Sequence, residues 1–234
     1  MRLAGLLAGA LVWASAGAAA DITGARYDGP TTRYAHGVLG DAIEHGELVL
    51  TLAGGKRKRI VLPRSRVFED TEPRLFDVDG DGDREVIVVE SDQSRGARLS
   101  IYDAEGLVAA TDYIGRSNRW LAPAGVGAAD LDGDGKVELA YVDRPHLAKT
   151  LRIFRFDKGR LVPLANLPGV TNHRIGERDI AGGIRTCGAG PEIIVADAKW
   201  RQVLAVRFDG KGFETRALGP HKGRASFAAA MACR

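Results

Sequence analysis

The sequence predicts an all-β protein built from a repeated four-stranded antiparallel unit, and three observations carry this prediction. Thirty glycines and only 6% aromatic residues among 234 suit many short strands joined by turns. Glu85, Glu138 and Glu192 each open an apolar strand and are spaced 53 and 54 residues apart. Each repeat then offers further strands separated by polar or Gly-containing turns. Four strands per repeat in an antiparallel meander are typical of a β-propeller blade.

Residues 1–20 have the composition of a secretory signal peptide. Arg2 precedes an apolar run over residues 3–12, and three alanines precede Asp21. The segment is too short for a stable membrane anchor, and no later stretch approaches 18 apolar residues. We therefore expect a cleaved leader and a mature chain from Asp21 that is periplasmic or secreted and has no stable membrane span.

The charge of the mature chain is nearly balanced. Without Arg2 it has 32 lysines and arginines against 30 acidic residues, a net charge of +2. This balance implies no general attraction to nucleic acid. The basic run at residues 56–59 is interpreted as a charged edge strand in preference to a nucleic-acid patch. We expect a monomer with no nucleic-acid partner.

The repeat divides residues 21–234 into units of a single propeller domain. The predicted units are about 31–64, 65–117, 118–171 and 172–219, followed by a tail at 220–234. The first unit is shorter than the others but keeps a hairpin over residues 47–62. Residues 22–27 are expected to close the propeller as a strand added to the last blade, and residues 225–233 to form a short helix. A different pairing of the first unit and the tail would give five blades.

Two acidic loops of nine residues separate the first and second predicted strands of the second and third units. They read Asp77-Val-Asp79-Gly-Asp81-Gly-Asp83-Arg-Glu85 and Asp130-Leu-Asp132-Gly-Asp134-Gly-Lys136-Val-Glu138. Carboxylates at positions 1, 3, 5 and 9 can converge on one hard cation, and Ca²⁺ takes 6–8 oxygen ligands. Asp83 or Lys136 at position 7 would add a backbone carbonyl. Gly82 and Gly135 permit the positive φ of so tight a turn.

Other interpretations of these loops fit less well. An EF-hand needs a bidentate Glu at position 12 and flanking helices, whereas position 12 is Val88 or Tyr141 and strands follow. Mg²⁺ tends to keep its waters. A solvated acidic hairpin is the alternative for a single loop, but two copies favour calcium. The ligands of the two predicted Ca²⁺ sites are Asp77, Asp79, Asp81, Asp83 and Glu85, and Asp130, Asp132, Asp134, Lys136 and Glu138.

Acidic loops placed between the first two strands of a blade resemble the FG-GAP/VCBS repeat family. That family includes the calcium-bearing propeller of integrin α-subunits and many exported bacterial proteins. The resemblance covers about residues 75–102 and 128–156. It implies a calcium-stabilised propeller with ligands at the ten positions named above. Both loops end in Glu, where family loops often end in Asp.

The fourth unit has lost its carboxylates. The aligned positions are Ile184, Thr186, Gly188 and Gly190. Cys187 lies among them, and we predict a disulfide between Cys187 and Cys233 because an isolated pair in an exported protein most often forms one. Such a bridge contributes roughly 4 kcal/mol in the chain-entropy model. We hypothesise that it replaces calcium as the cross-link that holds the fourth loop.

The opposite end of the propeller carries a motif that recurs where each blade begins: a small polar residue, a cation, a bulky residue and an apolar one. The candidate ligand-binding residues on this face are Arg33, Tyr34, Arg66, Arg119, Trp120, His173 and Arg174, and nearby turns add His146 and Trp200. The motif has two interpretations. Clustered cations could bind an anionic or sugar-like ligand, or each motif could be a joint between blades.

The sequence gives little support for catalysis, and we assign no catalytic residue. It lacks a Gly-x-Ser-x-Gly elbow, a His-Glu-x-x-His motif and a phosphate-cradling glycine loop. A hydrolase on the central face would need His173, Arg174, Glu177 and Asp179 in mutual contact. The predicted function is an exported calcium-binding propeller that acts as a protein- or ligand-binding module. The alternatives are a lectin-like sugar- or anion-binding propeller and the hydrolase.

Overall fold

The computed structural model describes residues 21–234, which form seventeen β-strands and one α-helix. Neighbouring strands pair antiparallel in three sheets. The predicted signal peptide at residues 1–20 lies outside the described residues. Within residues 21–234, no helix combines the length and the apolar character that a membrane span requires.

The first unit contributes three strands to the first sheet. Its strands are β1 (Ile22–Thr31), β2 (Glu44–Leu52) and β3 (Arg57–Val61). Strands β2 and β3 form the predicted hairpin, closed by a 3-10 turn at Ala53–Gly55. The expectation that residues 22–27 join the last blade is wrong, because β1 pairs with β2. Ile22 packs in the same buried cluster as the apolar side chains of β2, and this burial holds β1 in the first unit.

The second unit is a four-stranded meander whose inner strand is split in two. Its strands are β4 (Arg66–Phe68) and β5 (Arg74–Phe76), then β6 (Glu85–Asp92), β7 (Gly96–Tyr102) and β8 (Leu107–Ala110). Both β4 and β5 pair with β6. The first and second units share one sheet because His45 of β2 pairs with Phe68 of β4.

The third and fourth units are also meanders. The third contains β9 (Leu121–Ala129), β10 (Glu138–Asp143), β11 (Thr150–Asp157) and β12 (Arg160–Pro168). The fourth contains a split inner strand, β13 (Val170–Thr171) and β14 (Gly183–Thr186), followed by β15 (Pro191–Asp197), β16 (Gln202–Phe208) and β17 (Phe213–Pro220). The tail forms helix α1 (Arg224–Met231), as predicted. Because the tail is helical, the described residues build four units and no fifth.

The units stack face to face, with a buried apolar layer at each joint. One cluster joins the first and second units, a second joins the second and third, and a third joins the third and fourth. Strands β6 and β10 are consequently buried along their whole length, which explains the apolar runs at residues 86–89 and 139–142. Face-to-face packing of four-stranded antiparallel meanders is the architecture of a β-propeller, and the predicted fold class is confirmed.

Helix α1 and the loop between β1 and β2 both make contacts with the fourth unit. Helix α1 covers the outer face of the fourth unit, where Phe227 and Ala230 are buried against β15 and β16. The loop between β1 and β2 also reaches the fourth unit, since Gly176 N donates a hydrogen bond of 2.9 Å to Val38 O. The first and last units therefore meet through loops.

Candidate metal centre and opposite face

The first acidic loop connects β5 to β6 and is wrapped around its own carboxylates. The two carboxylate oxygens of Asp77 accept hydrogen bonds from Gly80 N (2.7 Å) and Gly82 N (3.1 Å). Glu85 accepts a bond of 2.8 Å from Val78 N. Gly82 has a φ of +97°, as expected for position 6 of the loop. The loop backbone is thus folded around the carboxylates at positions 1 and 9.

The second acidic loop, between β9 and β10, repeats this arrangement. Asp130 accepts from Gly133 N (2.8 Å) and Gly135 N (3.0 Å), and Glu138 accepts from Leu131 N (2.9 Å). The φ of Gly135 is +84°. Two loops in different blades therefore share one backbone conformation and one pattern of carboxylate contacts.

Each loop gathers three carboxylates from positions 1, 3 and 9. One oxygen from each lies within 4.8 Å of the others, and the two groups are Asp77, Asp79 and Glu85, and Asp130, Asp132 and Glu138. The residues at positions 5 and 7 lie at the partly or fully exposed rim; they are Asp81, Asp83, Asp134 and Lys136. Carboxylate and backbone carbonyl oxygens are the donors that Ca²⁺ prefers, so the donor set fits this ion.

The glutamates at position 9 lie at the buried end of each loop, with 5% exposure for Glu85 and none for Glu138. Burial, followed by the negative charge of Asp79 and the other loop aspartates, raises the pKa of Glu85 to about 7. Burial also raises the pKa of Glu138. A cation in the loop would favour the ionised form of both side chains.

The fourth loop, between β14 and β15, is held differently. Glu192, which aligns with Glu85 and Glu138, accepts hydrogen bonds from Arg185 (2.7 Å) and Arg216 (2.8 Å). The predicted disulfide between Cys187 and Cys233 is present, with the two Cα atoms 5.6 Å apart. Two arginine side chains therefore hold the glutamate of this loop, and a disulfide anchors Cys187 within it.

Three candidate ligand residues on the opposite face are engaged in contacts within the protein. Arg33 Nε donates a bond of 3.0 Å to the carbonyl oxygen of Arg66. Arg66 pairs with the buried carboxylate of Glu90 at 2.9 Å. Tyr34 is buried, and its hydroxyl accepts a bond of 2.9 Å from Asn118 N. These three candidates connect neighbouring segments of the propeller.

Two further candidates are buried and a third points outward. Trp120 is 2% exposed, and its Nε1 donates a bond of 2.7 Å to Glu69 O. His173 is fully buried, with its ring centroid 4.8 Å from that of Trp120. The Arg174 guanidinium lies 4.5 Å above the ring of Trp200. The seven candidate ligand-binding residues therefore do not converge on one point.

Part of the set nevertheless surrounds a cavity of about 220 Å³ on this face. Its lining includes His36, Arg119, Trp120, Arg144 and His146, with Leu147 and Ile175 at its edge. The lining contains no carboxylate among the described residues. His146 Nε2 lies 3.0 Å from His173 Nδ1, and burial lowers the pKa of His146 to about 4. The guanidinium of Arg144 is paired with both carboxylate oxygens of Asp143 (2.8 and 2.9 Å), so among the described lining residues Arg119 supplies the guanidinium without an ion pair.

The cluster that a hydrolase would require does not form. His173 Nε2 contacts the backbone carbonyl oxygen of Glu177 at 2.9 Å. The carboxylates of Glu177 and Asp179 instead pair with Arg224 of α1, at 2.6 and 2.8 Å. Since Arg174 stacks on Trp200, the four side chains do not make one acid–base group.

Sequence reasoning missed two ionic contacts at these sites. His36 Nδ1 lies 2.5 Å from an oxygen of the fully buried Glu69, although the spacing of His36 suggests no partner. Arg155 contacts three carboxylates of the second acidic loop. Of these two contacts, only that of Arg155 could have been predicted from the sequence, because the antiparallel pairing of β10 with β11 places Arg155 opposite Glu138.

One family model matches the part of the chain that contains both acidic loops. The family described as FG-GAP-like repeat matches residues 77–141, which begin at the first loop and run through the second. Regucalcin from Agrobacterium tumefaciens, a calcium-binding protein, has 16% identity and a TM-score of 0.30, covering 83% of this chain and 62% of that one. No curated protein matches the chain significantly. The chain carries an FG-GAP-like repeat at residues 77–141.

Proposed function

We propose that the protein is an exported calcium-binding β-propeller that acts as a binding module. The observation that carries this proposal is the pair of acidic loops, which share their carboxylate pattern and their backbone hydrogen bonds. Each loop would hold one Ca²⁺ through the side chains at positions 1, 3, 5 and 9 and the carbonyl at position 7. The ion would neutralise the carboxylates and tie the exposed rim to a buried strand.

Export is supported by the cysteine pair and by the composition of residues 1–20. Disulfides persist in oxidising compartments such as the periplasm and the extracellular space. The bond between Cys187 and Cys233 fits such a compartment, as does the expected signal peptide.

Thermal melts with and without calcium test the proposal. A ligand that binds only the folded state adds about 2.7 kcal/mol per independent site at 100 times its Kd. We expect calcium to raise the melting temperature of the EDTA-treated protein. The double variants Asp77→Asn with Asp79→Asn, and Asp130→Asn with Asp132→Asn, should each lose part of this shift.

Asp112→Asn is the matched control, because Asp112 is an exposed carboxylate outside both loops. It should keep the full calcium shift. A melting temperature that is the same in EDTA and in millimolar calcium contradicts the proposal.

The cavity on the opposite face supports a second candidate function, the binding of a small organic anion. Arg119 forms no ion pair among the described residues and supplies a guanidinium group, which suits carboxylate and phosphate. Arg144 also lines the cavity, but its guanidinium is already paired with Asp143. Leu147 and Ile175 are 64% and 72% exposed and provide an apolar edge. Trp120 is 2% exposed and therefore offers no open ring face on which a sugar could stack. These features favour an anion over a neutral sugar.

Melts with benzoate, inorganic phosphate and glucose test this candidate. We expect benzoate to raise the melting temperature and Arg119→Gln to abolish the effect, because Arg119 lines the cavity. Arg116→Gln, at an exposed position nearby, is the control and should respond as the wild type does. A shift with glucose alone, or a benzoate shift that survives Arg119→Gln, contradicts the assignment.

A further inference from the structure

We propose that Arg155 acts as a built-in cation in the second acidic loop, so that the two loops bind calcium unequally. This inference rests on the proposed calcium binding and adds that the first loop fills before the second. Calcium would enter the second loop only when the guanidinium of Arg155 withdraws.

The guanidinium of Arg155 contacts three of the proposed ligands. It donates from Nε to Glu138 Oε1 (2.7 Å) and from Nη2 to Asp132 Oδ2 (2.9 Å), and Nη1 lies 2.9 Å from Asp134 Oδ2. The other oxygen of Glu138 accepts Leu131 N. The carboxylates at positions 3, 5 and 9 of this loop thus share the single positive charge of a side chain of the same blade. The Arg155 side chain is 17% exposed, so these ion pairs are partly shielded from water.

The first loop has no such cation. Strands β6 and β7 pair Val86 with Tyr102, so the next step of this register places Asp103 opposite Glu85, where the third unit has Arg155 opposite Glu138. Asp103 accepts two bonds of 2.7 Å from the backbone of its own turn. Among the described residues, no arginine, lysine or histidine forms an ion pair with a carboxylate of the first loop. Its negative charge is therefore uncompensated.

The fourth unit represents the other extreme. Its equivalent glutamate, Glu192, is paired with Arg185 and Arg216, and the rest of its loop contains no carboxylate. The three loops thus form a series: carboxylates alone, carboxylates with an internal arginine, and arginines without the loop carboxylates. The third unit is the intermediate case.

Competition between the two cations follows from their positions. The oxygens that Arg155 contacts belong to the same side chains that would coordinate calcium. A carboxylate oxygen at hydrogen-bond distance from a guanidinium cannot also bind Ca²⁺ at 2.3–2.6 Å without bringing two positive charges close together. Calcium must therefore displace the guanidinium, and this displacement weakens binding to the second loop. At limiting calcium the protein would carry one ion, in the first loop.

Calorimetric titration of calcium into wild type and Arg155→Gln tests the inference. We expect two unequal sites in the wild type. Arg155→Gln should tighten the weaker site by at least about tenfold and leave the tighter site unchanged, because only the second loop loses a competing charge. The same variant with Asp77→Asn and Asp79→Asn isolates the second loop and should retain the tightened site.

Two further variants make the test selective. Arg152→Gln lies on the same strand but pairs with Asp143, away from the loop, and should leave both affinities unchanged. Asp103→Arg places an arginine opposite Glu85 and should weaken the tighter site. Arg155→Lys keeps the charge without the planar fork and should give an intermediate affinity; it also provides the test if the glutamine variant fails to fold.

The outcomes are distinguishable. Equal sites in the wild type, or a weaker site that does not change in Arg155→Gln, overturn the inference while the proposed calcium binding stands. If neither wild type nor any Arg155 variant binds calcium, the proposed function itself fails.

Discussion

Most buried carboxylates have a cationic partner, but among the described residues Glu44 and Glu85 have none. Glu90 pairs with Arg66 and Arg98, and Glu138 pairs with Arg155. Glu44 is 2% exposed, and within residues 21–234 it has no ion pair. Burial, followed by the negative charge of nearby acids, raises the pKa of Glu44 to about 9. This side chain is therefore protonated in the folded protein at neutral pH.

The raised pKa predicts that Glu44→Gln stabilises the protein at alkaline pH. The unfolded chain loses this proton near pH 4.5, whereas the folded chain keeps it until about pH 9. Stability linked to Glu44 is complete below pH 4.5 and is lost as pH rises through this window. Glutamine has no proton to lose, so the free energy of unfolding should increase by about 1.4 kcal/mol for each pH unit above 4.5, which is about 5 kcal/mol at pH 8.

Denaturant unfolding at two pH values checks this prediction. Wild type and Glu44→Gln should have similar stability at pH 4, where both side chains are neutral in both states. Equal stability at pH 8 would show that Glu44 is ionised in the folded protein and would contradict the assignment.

At the same scale, sequence reasoning located the acidic loops but not their ionic neighbours. The spacing of Asp77, Asp79 and Glu85 predicts their convergence because they are close in the chain and share one tight turn. The contact between His36 and Glu69 spans 33 residues and two units, so it depends on how the units stack. A pattern of residues within one segment of the sequence therefore cannot predict this contact.

At the scale of elements, continuous apolar sequences correctly predicted the buried strands β6, β10 and β15. The splitting of the inner strands was not predicted. Between β4 and β5 the chain leaves the sheet, and Asp70 takes up a bidentate pair with Arg74, at 2.7 and 2.9 Å. Asp70 also accepts a bond from Val89 N. The side chain of Asp70 thus takes the place of a backbone partner for β6 between β4 and β5. Strand propensity does not predict such a replacement.

The disulfide ties the end of helix α1 to the fourth unit, and we expect this region to loosen when the bond is reduced. Cys233 follows α1, and Phe227 and Ala230 of the helix are buried on the fourth unit. Removing the bond with Cys187→Ser and Cys233→Ser should lower the free energy of unfolding by about 2–4 kcal/mol. Hydrogen exchange should increase first in α1 and in the loop between β14 and β15.

Reductant provides the matched comparison. It should lower the melting temperature of the wild type to that of the double serine variant and leave the variant unchanged. A wild-type melt that does not respond to reductant contradicts the hypothesis that the disulfide holds the fourth loop in place of calcium.

At the scale of the whole molecule, the meander topology separates two ends of the propeller. Turns between the first and second strands of a blade lie at one end, and turns between the second and third strands lie at the other. The acidic loops belong to the first kind, and Arg144 and His146 of the cavity belong to the second. The proposed calcium sites therefore stabilise the end opposite the proposed anion site.

The repeat spacing was sufficient to predict an all-β propeller, because each unit is one meander that is read from local strands and turns. How the stack ends could not be predicted in the same way. The pairing of β1 with β2 and the contact of Val38 with Gly176 join segments that no local pattern relates.

Calorimetric titration of Ca²⁺ into the EDTA-treated protein tests directly whether the acidic loops bind calcium. We predict saturable binding of two ions per chain, with the tighter one in the loop that contains Asp77. No detectable binding at millimolar calcium would mean that both acidic loops are solvated turns, and it would contradict the proposed function.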